Sequence, residues 1–100
     1  MNIIVLAGGL SPERDVSLSS GVEVRNALRE RGHRAVMIDV FLGIEQPIPS
    51  PDAVFDWDID YPGISGISNA APDLAAIRRQ RQDQSPALIG PNVLDLCRAA

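Results

Sequence analysis

The sequence has 100 residues, 45% of them hydrophobic, which suits one small folded domain. Its net charge of -4 argues against nucleic acid and anionic membranes as partners, since both attract a basic face. One cysteine excludes an internal disulfide, and the first apolar run is too short for a signal sequence or a membrane span. All nine basic residues are arginine, so any lysine that phosphate chemistry requires must lie elsewhere. The single cysteine and the short first apolar run lead us to expect a cytoplasmic protein.

A short run rich in β-branched residues, from Ile3 to Leu6, ends at Ala7-Gly8-Gly9. This pattern predicts a buried parallel strand that is ended by a turn. Helical spacing follows, with Ser17 as the predicted N-cap and Gly32 as the residue that ends the helix. The predicted apolar face of this helix consists of Leu18, Gly21, Val22, Val24, Ala27 and Leu28.

The residues from Ala35 to Val40 form a second apolar run and predict a second strand. A helix between two strands predicts a parallel pair joined by a crossover. The next segment, 41–71, is rich in proline and glycine and predicts a long loop, with one short strand near Ala53 to Trp57.

Two more helices are predicted, one from Pro72 or Asp73 to about Gln82 and one from near Pro91 to the end. In an alternating pattern, a third strand should follow the last helix, and two parallel strands alone make a poor sheet. We therefore expect an α/β fragment that lacks its later strands.

The loop that begins at Gly8 and Gly9 follows the carboxyl end of the first strand, where open α/β sheets bind ligands. The two glycines allow a sharp turn, and the nearby helix terminus favours a carboxylate or a phosphate. Glu13 is suited to pair with a substrate ammonium group or with polar groups of a facing domain. A purely structural role is also open, in which Ser17 only caps the helix and Glu13 only complements its dipole.

A dinucleotide site is disfavoured because the G-x-G-x-x-G pattern is absent: Pro12 and Glu13 stand where further glycines are needed. Asp39, at the end of the second strand, would have to act as the ribose-binding acid. A calcium loop is disfavoured as well. The alternating acids from Asp56 to Asp60 resemble its start, but Tyr61 replaces the required glycine and Ile67 the required glutamate.

Four other features favour structural roles. The acidic segment is expected to be solvated, with Trp57 tucked beneath it. His33 is expected to face solvent and Cys97 to be a small buried apolar residue. The basic run of Arg78, Arg79 and Arg81 is expected to form a solvated face or an inter-domain contact.

The stretch from Val5 to Gly21 closely resembles the amino-terminal signature of D-alanine-D-alanine ligases. It supplies the Gly-Gly pair, a serine at Ser11, the Glu-Arg-acid-Val-Ser block that begins at Glu13, and a Ser-Gly pair in the first helix. The stretch from Gly90 to Cys97 is similar to the family segment that precedes the third strand.

The resemblance implies a Rossmann-like parallel sheet with flanking helices, the pre-ATP-grasp domain, spanning residues 1–100 and incomplete without the ATP-grasp domains. It also implies an ATP-dependent ligase that phosphorylates one D-alanine and joins it to a second, making the dipeptide for peptidoglycan. ATP and Mg²⁺ would be bound by domains outside this chain, and the whole protein would be a homodimer.

Residue by residue, the resemblance places Glu13 at the ammonium group of the first D-alanine, near a serine and a tyrosine of the central domain. It places Val16 against the substrate methyl group. No catalytic or metal-binding residue is expected in this piece, and a choice of D-lactate or D-serine as second substrate would be made outside it. The alternative is a non-catalytic α/β small-ligand binding or regulatory module. The residues expected to form the loop are Gly8, Gly9, Ser11 and Ser17.

Overall fold

The computed structural model describes residues 1–61, 73–82 and 84–100. In these residues, strand β1 (Asn2–Ala7) pairs in parallel with strand β2 (Arg34–Asp39), and helix α1 (Arg14–Glu30) connects them. The predicted strand, helix and strand are therefore confirmed, and so is the α/β class. Because Ala7 pairs with Asp39, the carboxyl ends of both strands lie at the same edge of the sheet.

The carboxyl end of α1 follows the prediction. Gly32 has a φ of 88°, and its N–H donates to the Arg29 carbonyl at 3.0 Å, while the N–H of His33 donates to the Leu28 carbonyl at 3.1 Å. This pair of bonds is the Schellman arrangement, in which glycine accommodates the left-handed residue. His33, which was expected to face solvent, is half-buried.

The predicted start of α1 is wrong. The helix begins at Arg14, with Glu13 at the cap position, and Ser17 lies inside the first turn. Ser17 is not the cap, because its backbone N–H donates to the Glu13 carbonyl at 3.0 Å within the helix, and its hydroxyl accepts the N–H of Gly8 in the preceding loop. The prediction, which relied on residue type alone, therefore placed the start of α1 one turn too late.

Helix α1 approaches the sheet closely at Gly21. A Cβ atom at this position would lie 2.7 Å from the sulfur of Met37 and 2.9 Å from the Cβ of Ala7. Val24, predicted to be buried, is 49% exposed, and Ala27 is exposed as well. The buried stripe runs through Arg14, Leu18 and Gly21, and Val24 lies roughly 100° away from it around the helix axis.

The two faces of the sheet carry two apolar clusters, because successive strand side chains alternate between faces. On the α1 side, Met37 packs in a cluster whose other buried members are Ala7, Leu18, Phe41, Leu42, Tyr61 and Ile77. On the opposite side, Val36 and Ile38 pack with Ile44, Val54, Phe55, Val93 and Leu96. Strand β2 is thus covered on both faces, whereas β1, which was predicted to be buried, is mostly half-buried and its Leu6 is 48% exposed.

The strand predicted near Ala53 to Trp57 is wrong. Ala53 and Val54 belong to a single helical turn, α2 (Pro51–Val54), which has Pro51 at its start and an extended Ser50 before it, and residues 55–57 form no strand. The turn places Val54 and Phe55 in the cluster opposite α1. Proline at the first position of a helix is favourable, and this signal outweighs the weak apolar pattern.

The later helices lie close to their predicted positions. Helix α3 (Leu74–Gln80) is capped by Asp73, whose side chain accepts the N–H of Ala76 at 3.0 Å, and helix α4 spans Val93–Ala99. Pro62, Ile67 and Pro72 lie outside the described residues. Among the described helices, none is long and apolar enough to cross a membrane.

Two predictions about single side chains are wrong. Cys97 is exposed, because α4 buries only Val93 and Leu96. Arg81 is buried, and its guanidinium lies 4.1 Å from the centre of the Phe41 ring. It donates to the backbone carbonyls of Phe41, Ser85 and Ala87, and such hydrogen bonds make burial of the charge tolerable.

The carboxylates of the acidic segment are exposed, as expected, but Asp56 and Asp58 pair with arginines, as does the nearby Asp52. Arg34 donates to Asp52 and Asp56, both at 2.8 Å, and Arg29 donates to Asp58 at 2.6 Å. These hydrogen bonds lower the pKa of Asp56 and of Asp58 below the ordinary aspartate range. Exposed pairs of this kind contribute little to stability.

Candidate functional site

The loop between β1 and α1 lies at the carboxyl ends of both strands. A cavity of about 200 Å³ opens there and is lined by Leu6, Ala7, Gly8, Ser17 and Val40. Ligands of open parallel sheets bind at this edge. The loop is therefore the candidate site.

The two glycines of the loop hold left-handed backbone conformations, with φ of 73° at Gly8 and 89° at Gly9. Their N–H groups are both used inside the protein. Gly8 donates to the hydroxyl oxygen of Ser17 at 3.0 Å, and Gly9 donates to Oδ1 of Asp39 at 3.2 Å. Neither amide is available to a bound anion, so the loop joins α1 to β2 and does not form a phosphate cradle.

Asp39 lies under the loop and is wholly buried. Its Oδ1 also accepts the N–H groups of Phe41 at 2.9 Å and Leu42 at 3.3 Å, while Oδ2 accepts a guanidinium N–H of Arg14. Because its carboxylate points inward and both oxygens are engaged, Asp39 cannot bind a ribose. The dinucleotide site, which the sequence already disfavours, therefore has no ribose-binding carboxylate at Asp39.

Arg14 is the partner of Asp39 and is also wholly buried. Its Nη1 donates to the carbonyl of Gly9 at 2.8 Å. Sequence reasoning missed this pair, although one signal was present: Asp39 ends an apolar strand, and a buried carboxylate needs a cation or several donors close by. The Arg14 side chain, one residue after Glu13, supplies that cation.

Glu13 and Val16 lie at the start of α1, three residues apart, so they share one side of the helix. Glu13 is exposed, and Val16 is 46% exposed. Within the described residues, the Glu13 carboxylate makes no hydrogen bond or ion pair, and its backbone N–H donates to the hydroxyl of Ser11 at 3.2 Å. The structure thus leaves a carboxylate and an apolar side chain exposed near the start of α1.

The loop and the side chains around it do not fit a nucleotide or a metal ion. The two glycine amides are engaged, and in 1–61, 73–82 and 84–100 no three His, Cys, Asp or Glu side chains are placed to hold a metal. We therefore assign no residue of this chain to ATP or Mg²⁺.

Several curated proteins named D-alanine-D-alanine ligase match the chain. The one from Lacticaseibacillus casei is 45% identical over 100 residues, which is all of this chain and 28% of the relative. The predicted resemblance is confirmed. The ligase of Pediococcus pentosaceus is 45% identical over 104 residues, with the same shares. The ligase of Zymomonas mobilis is 39% identical over 79 residues, 77% of this chain and 25% of the relative.

The chain thus spans about 28% of the length of the first two ligases. No family model matches the chain. No solved structure matches it significantly.

Proposed function

We propose that residues 1–100 form the amino-terminal, pre-ATP-grasp α/β domain of an ATP-dependent D-alanine-D-alanine ligase. The observation that carries this proposal is the 45% identity to such ligases over the entire chain. The exposed carboxylate of Glu13, in the loop that follows the carboxyl end of β1, supports it.

In this proposal Glu13 accepts a hydrogen bond from the ammonium group of the first D-alanine. Such a charge-assisted bond is roughly twice as strong as one between neutral groups. Val16, on the same side of α1, contacts the methyl group of that D-alanine. The role of this chain is to bind and orient the first substrate, which lowers the entropic part of the barrier.

The reaction joins the two substrates in two steps. A carboxylate oxygen of the first D-alanine bonds to the terminal phosphorus of ATP, and ADP leaves. The amine nitrogen of the second D-alanine then attacks the resulting acyl carbon, the phosphate leaves, and the nitrogen loses a proton. ATP and Mg²⁺ are held by domains outside this chain.

The product, D-alanyl-D-alanine, is the dipeptide of peptidoglycan, so the proposed protein acts in the cytoplasm during cell-wall synthesis. We further propose that the whole protein is a homodimer. Neither membrane nor nucleic acid is a proposed partner, in keeping with the acidic net charge of -4.

The test is an assay of ATP-dependent phosphate release with D-alanine, together with detection of the dipeptide. Two samples are compared: this chain alone and the complete protein that contains it. We expect activity only in the complete protein. If the complete protein binds D-alanine but forms no dipeptide, a non-catalytic binding module is the correct description.

A further inference from the structure

We propose that Arg14 and Asp39 are positioning residues for the first D-alanine, acting through Glu13. This inference rests on the proposed function and extends it to a buried pair that does not touch the substrate. The observations that support it are the contacts between this pair and the loop.

The pair holds both polar groups of the Gly9 backbone. Asp39 accepts the N–H of Gly9 at 3.2 Å, and Arg14 donates to its carbonyl at 2.8 Å. The Arg14 guanidinium also bonds to Asp39, so the three residues form a closed set of contacts. Rotation of the Gly9 peptide groups would break at least one of these bonds.

The same pair fixes the start of α1. Arg14 is the first residue of the helix and is wholly buried, whereas the preceding Glu13 is exposed. The backbone N–H of Arg14 donates to the carbonyl of Ser11 at 3.1 Å, which closes the turn around Glu13. The direction of the Glu13 carboxylate therefore depends on the anchored guanidinium one residue later.

A role in stability alone does not explain this arrangement well. Buried ion pairs are a poor source of stability, because the loss of hydration offsets most of the attraction between the charges. What such a pair supplies is one defined geometry, and this one fixes Gly9 and the first residue of α1, which directly follows the exposed Glu13. A displacement of about 1 Å at a binding group can reduce a rate by roughly 100-fold.

The test uses the complete protein and its Asp39→Asn and Arg14→Lys variants. Asparagine keeps the shape of aspartate but loses the charge, and lysine keeps the charge but cannot reach Gly9 and Asp39 with separate nitrogens of one planar group. We expect the KM for the first D-alanine to rise at least about 10-fold in each variant. We expect the KM for ATP to stay within about twofold, because no residue here is assigned to the nucleotide.

The matched control is Val54→Ala. Val54 is wholly buried in the cluster on the other face of the sheet, so its truncation lowers the melting temperature without contacting the loop. The KM for the first D-alanine should be unchanged in this variant. A rise equal to that in Asp39→Asn would show that general destabilisation is responsible, which would overturn the inference.

A double-mutant cycle shows whether the pair acts through Glu13. Adding Asp39→Asn to Glu13→Gln should raise the KM for the first D-alanine far less than Asp39→Asn does alone. Additive effects would overturn the inference, as would an unchanged KM in a folded Asp39→Asn or, if that variant does not fold, Arg14→Lys protein. A wild-type protein without ligase activity would instead refute the proposed function itself.

Discussion

The hydroxyl oxygen of Ser17, in the first turn of α1, accepts a hydrogen bond from the backbone N–H of Gly8 at 3.0 Å. Gly8 follows β1 directly, so this one bond joins the end of the strand to the start of the helix. The loop amide is therefore bonded to a helix side chain and is not available to a bound anion. The contact explains why a serine is useful at a position that is not the cap.

Replacing Ser17 by alanine should destabilise the protein by about 1 kcal/mol, because the N–H of Gly8 loses its partner. The matched control is Ser20→Ala, at an exposed position of the same helix, where alanine slightly improves helix propensity. Chemical denaturation of the complete protein measures both. Equal effects of the two substitutions would contradict the importance of the Gly8 contact.

Replacing Gly21 by alanine should lower the free energy of unfolding by about 1 kcal/mol or more, since overpacking costs roughly 1–3 kcal/mol. The reason is that a Cβ atom at position 21 would lie too close to the side chains of Met37 and Ala7 on the sheet. Helix propensity alone predicts the opposite sign, a gain of about 1 kcal/mol. A thermal melt of the variant decides between them, and a higher melting temperature would show that helix and sheet can separate at no cost.

Tyr61 should make stability depend on pH in the alkaline range. Burial raises the pKa of Tyr61 above its ordinary value of 10.0, and its hydroxyl donates to the Gly43 carbonyl at 2.8 Å. A raised pKa in the folded state means that the stabilisation is complete below about pH 10 and is lost as the pH rises through the folded pKa. Above about pH 10 the unfolded chain ionises more readily than the folded one.

We therefore expect Tyr61→Phe to destabilise the complete protein by about 1 kcal/mol at pH 8, with the difference from wild type shrinking above about pH 10. Denaturation curves at a series of pH values measure this difference. A gap that stays constant from pH 8 to pH 11 would mean that Tyr61 ionises equally in both states.

Most elements of regular structure followed from local pattern, but the helical turn α2 did not, because the apolar residues near Ala53 predicted a strand. Both strands, the end of α1 at Gly32 and the start of α3 at Asp73 are set by residues within one turn of the position in question. The start of α1 did not follow, because Ser17 is a good capping residue by type but is bound to a distant loop. Capping propensity depends on residues close in the sequence, so it does not include the hydrogen bond between Ser17 and Gly8, which are nine residues apart.

The burial of charged side chains was not predicted. Arg14, Asp39 and Arg81 are buried because each finds several partners that come from other parts of the chain. Their identity as charged residues favours the surface, and only the tertiary fold supplies the compensating contacts. The buried pair beneath the candidate site was missed for this reason.

The exposed part of the site was predictable in a different way. Glu13 and Val16 were selected by resemblance to a family, and the structure leaves both accessible at the start of α1. Their proposed contacts with D-alanine stay predictions. Substrate contact depends on groups beyond this chain, so the local pattern alone could not decide it.

The most direct measurement is the steady-state formation of D-alanyl-D-alanine by the complete protein and by its Glu13→Gln variant. Loss of a hydrogen bond between charged groups is expected to cost about 1.5–3 kcal/mol, which is roughly a 10- to 100-fold rise in the KM for the first D-alanine. The KM for ATP should be nearly unchanged, and Val16→Ala should act more weakly. An active protein whose KM for the first D-alanine is the same with glutamine at position 13 would contradict the assignment of this loop to the substrate.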